Sequence, residues 1–380
     1  MPKHELRGRY AVVGVGTTAF GKLPEHDAYS LGAWALREAL ADAGLRREDV
    51  DGLIVNRVPD YQRFGELFGM NPRWVAQLPT QGRMSGASIE LAVAALEAGL
   101  CRTVALVYGN NGRSAGVQYG GLEDTYGSGG GAFLKPYGMT SPGAFHALMF
   151  RRHMALYGST SEELAAIPVT FRQHASLNPN AVMRTPITVA DHQASRYIAE
   201  PLHLYDYCLI NDGGVALIIT DAERARDLAK PPVYILGFAQ ATALVDSTVP
   251  PADFWREPLG RVAEDVYAMA GVGRSDIDAL MIYDNFSPTV VFTLEGFGFC
   301  PVGEGTRWVQ GGRLALGGEY PTNTSGGHLS ESYMQGWGLN VEAVRQLRGE
   351  CGPRQVAGAK VIQYMCATAV ATSIIYSNAR

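Results

Sequence analysis

The stretch Asn323-Thr-Ser-Gly-Gly-His-Leu-Ser-Glu-Ser-Tyr333-Met-Gln-Gly-Trp-Gly338 gathers groups suited to handling a carbonyl substrate. The backbone amides around Ser325, Gly326 and Gly327 are candidates for holding enolate charge, because preorganised donors do so at low cost. His328 lies close enough in sequence to Tyr333 to touch the same substrate. A phenol both donates and accepts hydrogen bonds, so Tyr333 can move a proton. An ordinary phenol with a pKa near ~10 costs about 4 kcal/mol to ionise at pH 7, which makes a lone tyrosine a poor standing base. It becomes effective if hydrogen bonds lower its pKa, or if the proton moves only as a carbon–carbon bond breaks.

Other chemistries lack their residues. A Schiff-base mechanism needs a lysine in an apolar pocket, and the only lysines are Lys3, Lys22, Lys135, Lys230 and Lys360. No CxxC, HExxH or His/Cys cluster has metal-ligand spacing, so no metal is expected in this chain. No GxGxxG lies between a strand and a helix, which removes the usual dinucleotide site. Ser85 and Ser88 would need an adjacent base to act as nucleophiles, and the local sequence offers none. His146, His153 and His174 sit at helical spacing, the pattern of packing or surface groups.

The elements that must position these groups alternate between strand and helix. Ala43-Gly-Leu-Arg-Arg-Glu-Asp-Val-Asp-Gly-Leu-Ile-Val55 matches Ala270-Gly-Val-Gly-Arg-Ser-Asp-Ile-Asp-Ala-Leu-Met-Ile282 without gaps. Each copy reads as the end of a helix, a Gly-containing turn and a short buried strand, which points to two related α/β halves. Further apolar runs at Tyr10, Thr103, Gly214, Pro232 and Val361 predict strands, with helical patterns such as Ser88-Ile-Glu-Leu-Ala-Val-Ala-Ala-Leu-Glu-Ala98 between them. That rhythm implies mostly parallel sheets with helices on their faces. Residues 112–205 break it with a Gly/Tyr-rich stretch, a helix from about Phe145 to Leu156, and a helix start at Ser159 or Thr160. A long excursion inside an α/β unit is usually functional. The halves are expected to meet near residues 221–232, giving domains of 1–230 and 231–380.

In order and spacing, several segments resemble the thiolase superfamily, specifically its lipid-transfer or sterol-carrier-protein branch. They are Tyr157-Gly-Ser-Thr, Asn178-Pro-Asn, Ile187-Thr, Ser195-Arg, Glu200-Pro-Leu, Asn211-Asp-Gly-Gly, Tyr283-Asp-Asn-Phe, Gly296-Phe-Gly-Phe-Cys, Gly303-Glu and the Asn323 stretch. The resemblance implies a thiolase fold: two related αβαβα halves with mixed or parallel sheets in layers, and a loop excursion in the first half. It also locates the departures. The family's nucleophilic cysteine position falls in Gly82-Arg-Met-Ser-Gly-Ala-Ser88, which has no cysteine. The loop histidine falls on Tyr333 and the polar residue of the Asn-Glu-Ala-Phe motif on Tyr283. The second cysteine, which shuttles a proton at the α-carbon, corresponds to Cys366.

Two phenols and no nucleophile resemble the subgroup of steroid side-chain-cleaving acyl-CoA aldolases. The resemblance implies retro-aldol cleavage of a β-hydroxyacyl-CoA to a ketone and a shorter acyl-CoA such as propionyl-CoA. In that reading Tyr283 and Tyr333 are the acid/base pair, Cys366 is a further catalytic candidate, and Ser325, Gly326, Gly327 and His328 bind substrate. No acyl-enzyme is required. A thiolase-like acyltransferase using Cys366 or a serine, and a non-catalytic scaffold, are the alternatives. The resemblance further implies a homodimer and a small zinc-ribbon/OB-fold partner that would hold any zinc.

Composition agrees with a globular protein: 47% hydrophobic and 18% charged. A net charge of −5 gives no general field for nucleic acid or anionic membrane. No apolar run approaches the ~18 residues of a membrane span. The odd, scattered set Cys101, Cys208, Cys300, Cys351 and Cys366 argues against disulfides and for the cytoplasm.

Overall fold

The computed structural model of the 380-residue chain describes residues 3–78, 84–117, 136, 141–243 and 251–380. The first repeat comprises β1 (Tyr10–Thr17), α1 (Ala28–Ala43), β2 (Gly52–Asn56), α2 (Tyr61–Phe68), β3 (Trp74–Leu78), α3 (Met84–Glu97) and β4 (Thr103–Asn110). The excursion then supplies α4 (Pro142–Tyr157), α5 (Ser161–Leu164), α6 (Ala166–Ser176), α7 (Val189–Ala194) and the hairpin β5 (Tyr197–Ala199) and β6 (Leu202–His203). β7 (Gly213–Asp221) returns to the sheet and is followed by α8 (Ala222–Ala225). The second repeat begins with β8 (Val233–Thr242), α9 (Arg256–Ala270), β9 (Ala279–Ile282), α10 (Ser287–Gly296) and α11 (Gly305–Trp308). It ends with α12 (Gly327–Ser330), α13 (Trp337–Leu347), β10 (Val361–Cys366) and β11 (Val370–Ser377).

The sequence repeat is a structural repeat, residue for residue. α1 and α9 both stop at a left-handed glycine, Gly44 and Gly271, the ordinary way to end a helix. Each is followed by a single 3₁₀ turn, Arg47–Asp49 and Arg274–Asp276, and then by the short buried strand β2 or β9. The second repeated aspartate has the same task in both copies. Asp51 accepts the N–H groups of Arg102 and Thr103 at the start of β4, and Asp278 accepts those of Lys360 and Val361 at the start of β10. Each carboxylate thereby fixes the register of two parallel neighbours.

The large sheet runs β3-β2-β4-β7-β1-β8-β11-β10-β9, and the order inverts about the β1–β8 contact. The expectation of mostly parallel sheets is corrected here. β2–β3, β2–β4 and β9–β10 are parallel, but the five other strand pairs are antiparallel. In each repeat the last strand, β7 or β11, inserts against the first strand and reverses direction there. β11 follows β10 after only residues 367–369, a link too short for a parallel crossover.

α1 packs on β1, β4 and β7, and α9 on β8 and β11, as outer layers. α3 and α13 each touch strands of both repeats and fill the middle, which gives the αβαβα layering. Strand β1 divides accordingly: Ala11 and Val13 join the cluster with α1, while Tyr10, Val12 and Val15 join that of α3 and α13. The middle layer holds fully buried Ile89, Trp337, Leu339 and Val344; each such side chain contributes about 1.5–3 kcal/mol of hydrophobic stabilisation.

The excursion differs in detail from its sequence reading. Thr160, not Ser159, caps α5, with Thr160 Oγ1 accepting the Glu163 N–H at 3.1 Å. The Gly/Tyr-rich stretch lies outside the described residues apart from Pro136. No helix among the described residues is long and apolar enough to cross a membrane.

Candidate active site

Tyr283 is held at the carboxyl end of β9. Its N–H donates to Met365 O at 2.8 Å, which extends the parallel ladder with β10 by one residue. The other edge of β9 is closed by a side chain. Asn323 Oδ1 accepts the Ile282 N–H at 2.7 Å and Asn323 Nδ2 donates to Ile282 O at 2.8 Å, so the amide imitates a neighbouring strand. The same residue begins the loop that returns with Tyr333. One asparagine therefore ties the two tyrosine-bearing segments together.

The two phenols meet: Tyr283 Oη and Tyr333 Oη lie 2.8 Å apart. Tyr283 is 2% exposed and Tyr333 is half-buried, so Tyr333 is the more accessible member. Burial, then the neighbouring Tyr333 and Cys366, hold the Tyr283 phenol well above the usual range. Tyr283 is thus a neutral phenol at working pH, able to donate one proton while accepting another.

His328 packs beside both tyrosines, with ring centroids 4.8 Å from Tyr283 and 5.2 Å from Tyr333, edge-on to both. Its Nε2 accepts the Gly336 N–H at 2.9 Å, which places the ring proton on Nδ1. Nδ1 lies 3.2 Å from Asp284 Oδ1, close enough for attraction though poorly aligned for a straight hydrogen bond. Burial pushes the imidazole down to about 3 and the Asp284 carboxyl up to about 8, the latter despite backbone donors that favour the carboxylate. His328 is 1% exposed; Nε2 is taken by the Gly336 N–H, while Nδ1 stands beside Asp284 without a hydrogen-bond partner among the described residues. Gly327, at φ +60°, leaves the room that the Asp284 carboxylate fills, and a Cβ there would collide with it.

Ser325, Gly326 and Gly327 are fully buried in this loop. Gly326 N–H donates to Asn323 O at 2.8 Å, Gly327 N–H to Ser325 Oγ at 3.4 Å, and His328 N–H to Asp284 Oδ1 at 2.9 Å. These amides are engaged within the protein. Behind them lies a buried polar layer. Asn178 Nδ2 donates to Ser325 O and to Glu331 Oε1, both at 2.9 Å. Arg354 pairs with Glu342 at 3.1 Å, and Thr324 Oγ1 donates to Glu342 Oε1 at 2.8 Å. Arg354 and the hydrogen bonds hold Glu342 below the usual carboxylate range against the opposing effect of burial. Burial and the charge of Glu342 push Glu331 up to about 7.

The excursion grips this loop from outside. Arg172 Nε donates to Ser330 Oγ at 2.9 Å, Val182 and Met183 N–H donate to Glu331 O and Ser330 O, and Asn211 Oδ1 accepts the Tyr333 N–H at 2.8 Å. The second-repeat loop that carries Tyr333 is therefore shaped by the first repeat.

Cys366 ends β10, fully buried, with Sγ 4.0 Å from Thr368 Oγ1, and its proximity raises both Tyr283 and Tyr364. Tyr364 Oη lies 2.8 Å from Ser85 Oγ at the start of α3. Ser88 Oγ donates to Met84 O and accepts from Asn56 Nδ2, so neither serine faces a base there. Gly82 and Arg83 lie outside the described residues. Half-buried Cys208, near enough to Asp284 and Tyr283 to interact electrostatically, is a neighbour of the site that the sequence did not single out. Asp284, Asn323 and Asn211 were present in quoted motifs, yet only the folded-back loop shows what they hold. Among the described residues no group of three or more His, Cys, Asp or Glu could hold a metal ion.

Residues 246–375 match the Thiolase C-terminal domain-like family. The chain is 37% identical to a steroid side-chain-cleaving aldolase of Thermomonospora curvata, over 90% of this chain and 91% of that one. It is 36% identical to the 17-hydroxy-3-oxo-4-pregnene-20-carboxyl-CoA lyase of Mycobacterium tuberculosis, over 97% of this chain and 98% of the relative. The solved structure of an Ltp2-ChsH2(DUF35) aldolase superposes with a TM-score of 0.90 at 34% identity, covering 99% of both chains. Similarity of this extent, joined to a layered fold with paired phenols at the end of β9 and in the loop after α12, makes the chain a member of the thiolase superfamily and, within it, of the aldolases, which are carbon–carbon lyases.

Proposed function

We propose that this enzyme cleaves a β-hydroxyacyl-CoA of a steroid or similar bulky acid by a retro-aldol reaction, releasing a ketone and a shortened acyl-CoA such as propionyl-CoA. The observation that carries the reading is the 2.8 Å hydrogen bond between Tyr283 and Tyr333. One phenol oxygen accepts the proton of the substrate β-hydroxyl as the bond between the α- and β-carbons breaks. The β-carbon becomes the ketone carbon, and the electron pair passes to the α-carbon as a thioester enolate. The first phenol passes its own proton across the hydrogen bond, and the second delivers a proton to the α-carbon. The hydroxyl proton is thus replaced by one on carbon, and both phenols end as they began. Neither needs to exist as a free phenolate, which avoids the roughly 4 kcal/mol of ionising an ordinary phenol at pH 7.

Half-exposed Tyr333 is the phenol that meets the substrate first in this reading, with buried Tyr283 as its relay partner. Ser325, Gly326 and Gly327 act through the shape of the wall they form, since the amides of Gly326 and Gly327 are satisfied internally. Cys366, near enough to Tyr283 to act on it electrostatically, is a secondary candidate for tuning the proton transfer. The steroid assignment rests on what the two relatives are said to act on. The solved aldolase is a complex with a DUF35 protein, which supports a small zinc-ribbon/OB-fold partner for this chain too; zinc would then reside in the partner. A homodimer is proposed on family grounds. Incubation with a steroid-derived β-hydroxyacyl-CoA, with a DUF35-type partner protein present, should yield ketone and shortened acyl-CoA in equal amounts. Cleavage that survives in both Tyr283→Phe and Tyr333→Phe, but not in Cys366→Ala, would replace the reading with thiolase-type chemistry.

A further inference from the structure

We infer that Asp284 and His328 are positioning residues that set the distance between the two phenols, a role that rests on the two-phenol reaction proposed above. Asp284 directly follows Tyr283 and is fully buried. Its carboxyl oxygens accept the N–H groups of His328 at 2.9 Å and Leu329 at 3.3 Å, so it holds the first turn of α12 against the strand end. From there the side chain of His328 reaches across the loop and accepts the Gly336 N–H at 2.9 Å, beyond Tyr333. Strand end, start of loop and end of loop are joined in series, and Tyr333 lies inside the closed segment.

The glycines at the two ends fit this device. Gly327 at φ +60° faces the Asp284 carboxylate, and Gly336 at φ +86° faces the hydroxyls of Tyr364 and Ser85, where a side chain would not fit. The imidazole also packs beside both phenol rings, edge-on to each. Its depressed basicity keeps the ring neutral, with the proton on Nδ1, throughout the working pH range. In this role His328 moves no proton itself. What it controls is whether Tyr333 Oη stays within hydrogen-bond reach of Tyr283 Oη. A displacement of about 1 Å at reacting groups costs on the order of 100-fold in rate.

The test uses the full chain with its partner protein and three variants. His328→Phe keeps the ring and loses both nitrogens; His328→Gln returns an acceptor toward Gly336; Asp284→Asn weakens the grip on the loop amides. The expected result for His328→Phe is kcat lower by about 100-fold, KM within about twofold of the parent, and no ionisation lost from the pH profile. His328→Gln should recover part of kcat. Crystal structures of His328→Phe and Asp284→Asn should show the phenol oxygens beyond 3.5 Å in an otherwise intact fold. Phenols that stay at hydrogen-bond distance in both variants overturn the inference. So does a rise in KM at unchanged kcat, which would make His328 a substrate contact. So too does a missing limb in the pH profile, which would make it an acid or base. Failure of the unmodified enzyme to cleave a β-hydroxyacyl-CoA would instead remove the reaction assignment, while the phenol separation still decides the positioning role.

Discussion

Tyr283→Phe removes one oxygen atom and leaves the ring in place, so its effects on folding and on chemistry separate cleanly. The oxygen is hydrogen-bonded to Tyr333 Oη at 2.8 Å. Losing a neutral hydrogen bond of this kind costs about 0.5–1.5 kcal/mol of stability. The partner is half-buried and can turn toward water, which puts the cost at the low end. For a chain of this size that is a fall in Tm of roughly 2 °C or less. If the phenol is half of a proton relay, the loss in kcat is that of a general acid/base, about 10²–10⁴-fold, or roughly 2.7–5.4 kcal/mol in the barrier. Barrier and stability thus change by amounts that differ several-fold. The assay pairs steady-state cleavage of a β-hydroxyacyl-CoA with thermal unfolding of the same preparation. A kcat within threefold of the parent in a correctly folded Tyr283→Phe would refute the relay. A fall in Tm of ten degrees or more would show that the oxygen is structural, and the kinetic loss could then not be assigned to chemistry.

Two further outcomes follow from the polar layer behind the loop. Arg354→Met leaves the buried Glu342 carboxylate without its partner, and breaking a buried pair from one side costs about 3–5 kcal/mol; thermal unfolding should fall steeply, and a Tm near that of the parent would contradict the pairing. Glu331, pushed from 4.5 to about 7 by burial, holds its proton more tightly folded than unfolded. Its stabilising contribution is complete below pH 4.5 and declines as pH rises to about 7. Glu331→Gln should therefore gain stability relative to the parent across that window, by on the order of 3 kcal/mol. Unfolding curves of parent and variant that run parallel from pH 4.5 to 7.5 would rule this out.

Much of this architecture was legible because it repeats. Ala43–Gly44 and Ala270–Gly271 end equivalent helices, and Asp51 and Asp278 each clamp a neighbouring strand, so one pattern seen twice fixed both copies. β11 was not read as a strand, because Thr372, Ser373 and Ser377 interrupt its apolar run although all three are buried. The antiparallel insertions of β7 and β11 are long-range choices that local periodicity does not encode. At the site, both tyrosines were singled out by the resemblance to thiolase motifs, and the structure brings their oxygens within hydrogen-bond distance. The positions of their oxygens, the grip of Asp284 on α12 and the occupation of the Gly326–Gly327 amides depend on contacts between distant segments. A sequence shows that a loop has amides and an imidazole; only the closed loop shows which of them are already used.

The central claim is cleavage of a carbon–carbon bond without an acyl-enzyme. The most direct measurement is a single-turnover reaction with a β-hydroxyacyl-CoA in the absence of free CoA, quenched in time and followed by mass spectrometry of both products and intact protein. The two-phenol account requires ketone and shortened acyl-CoA to appear together at equal rates, with no free CoA needed and no mass added to the chain. Product formation that waits for added CoA, or an acyl group on Cys366 or Ser85 during turnover, would contradict it.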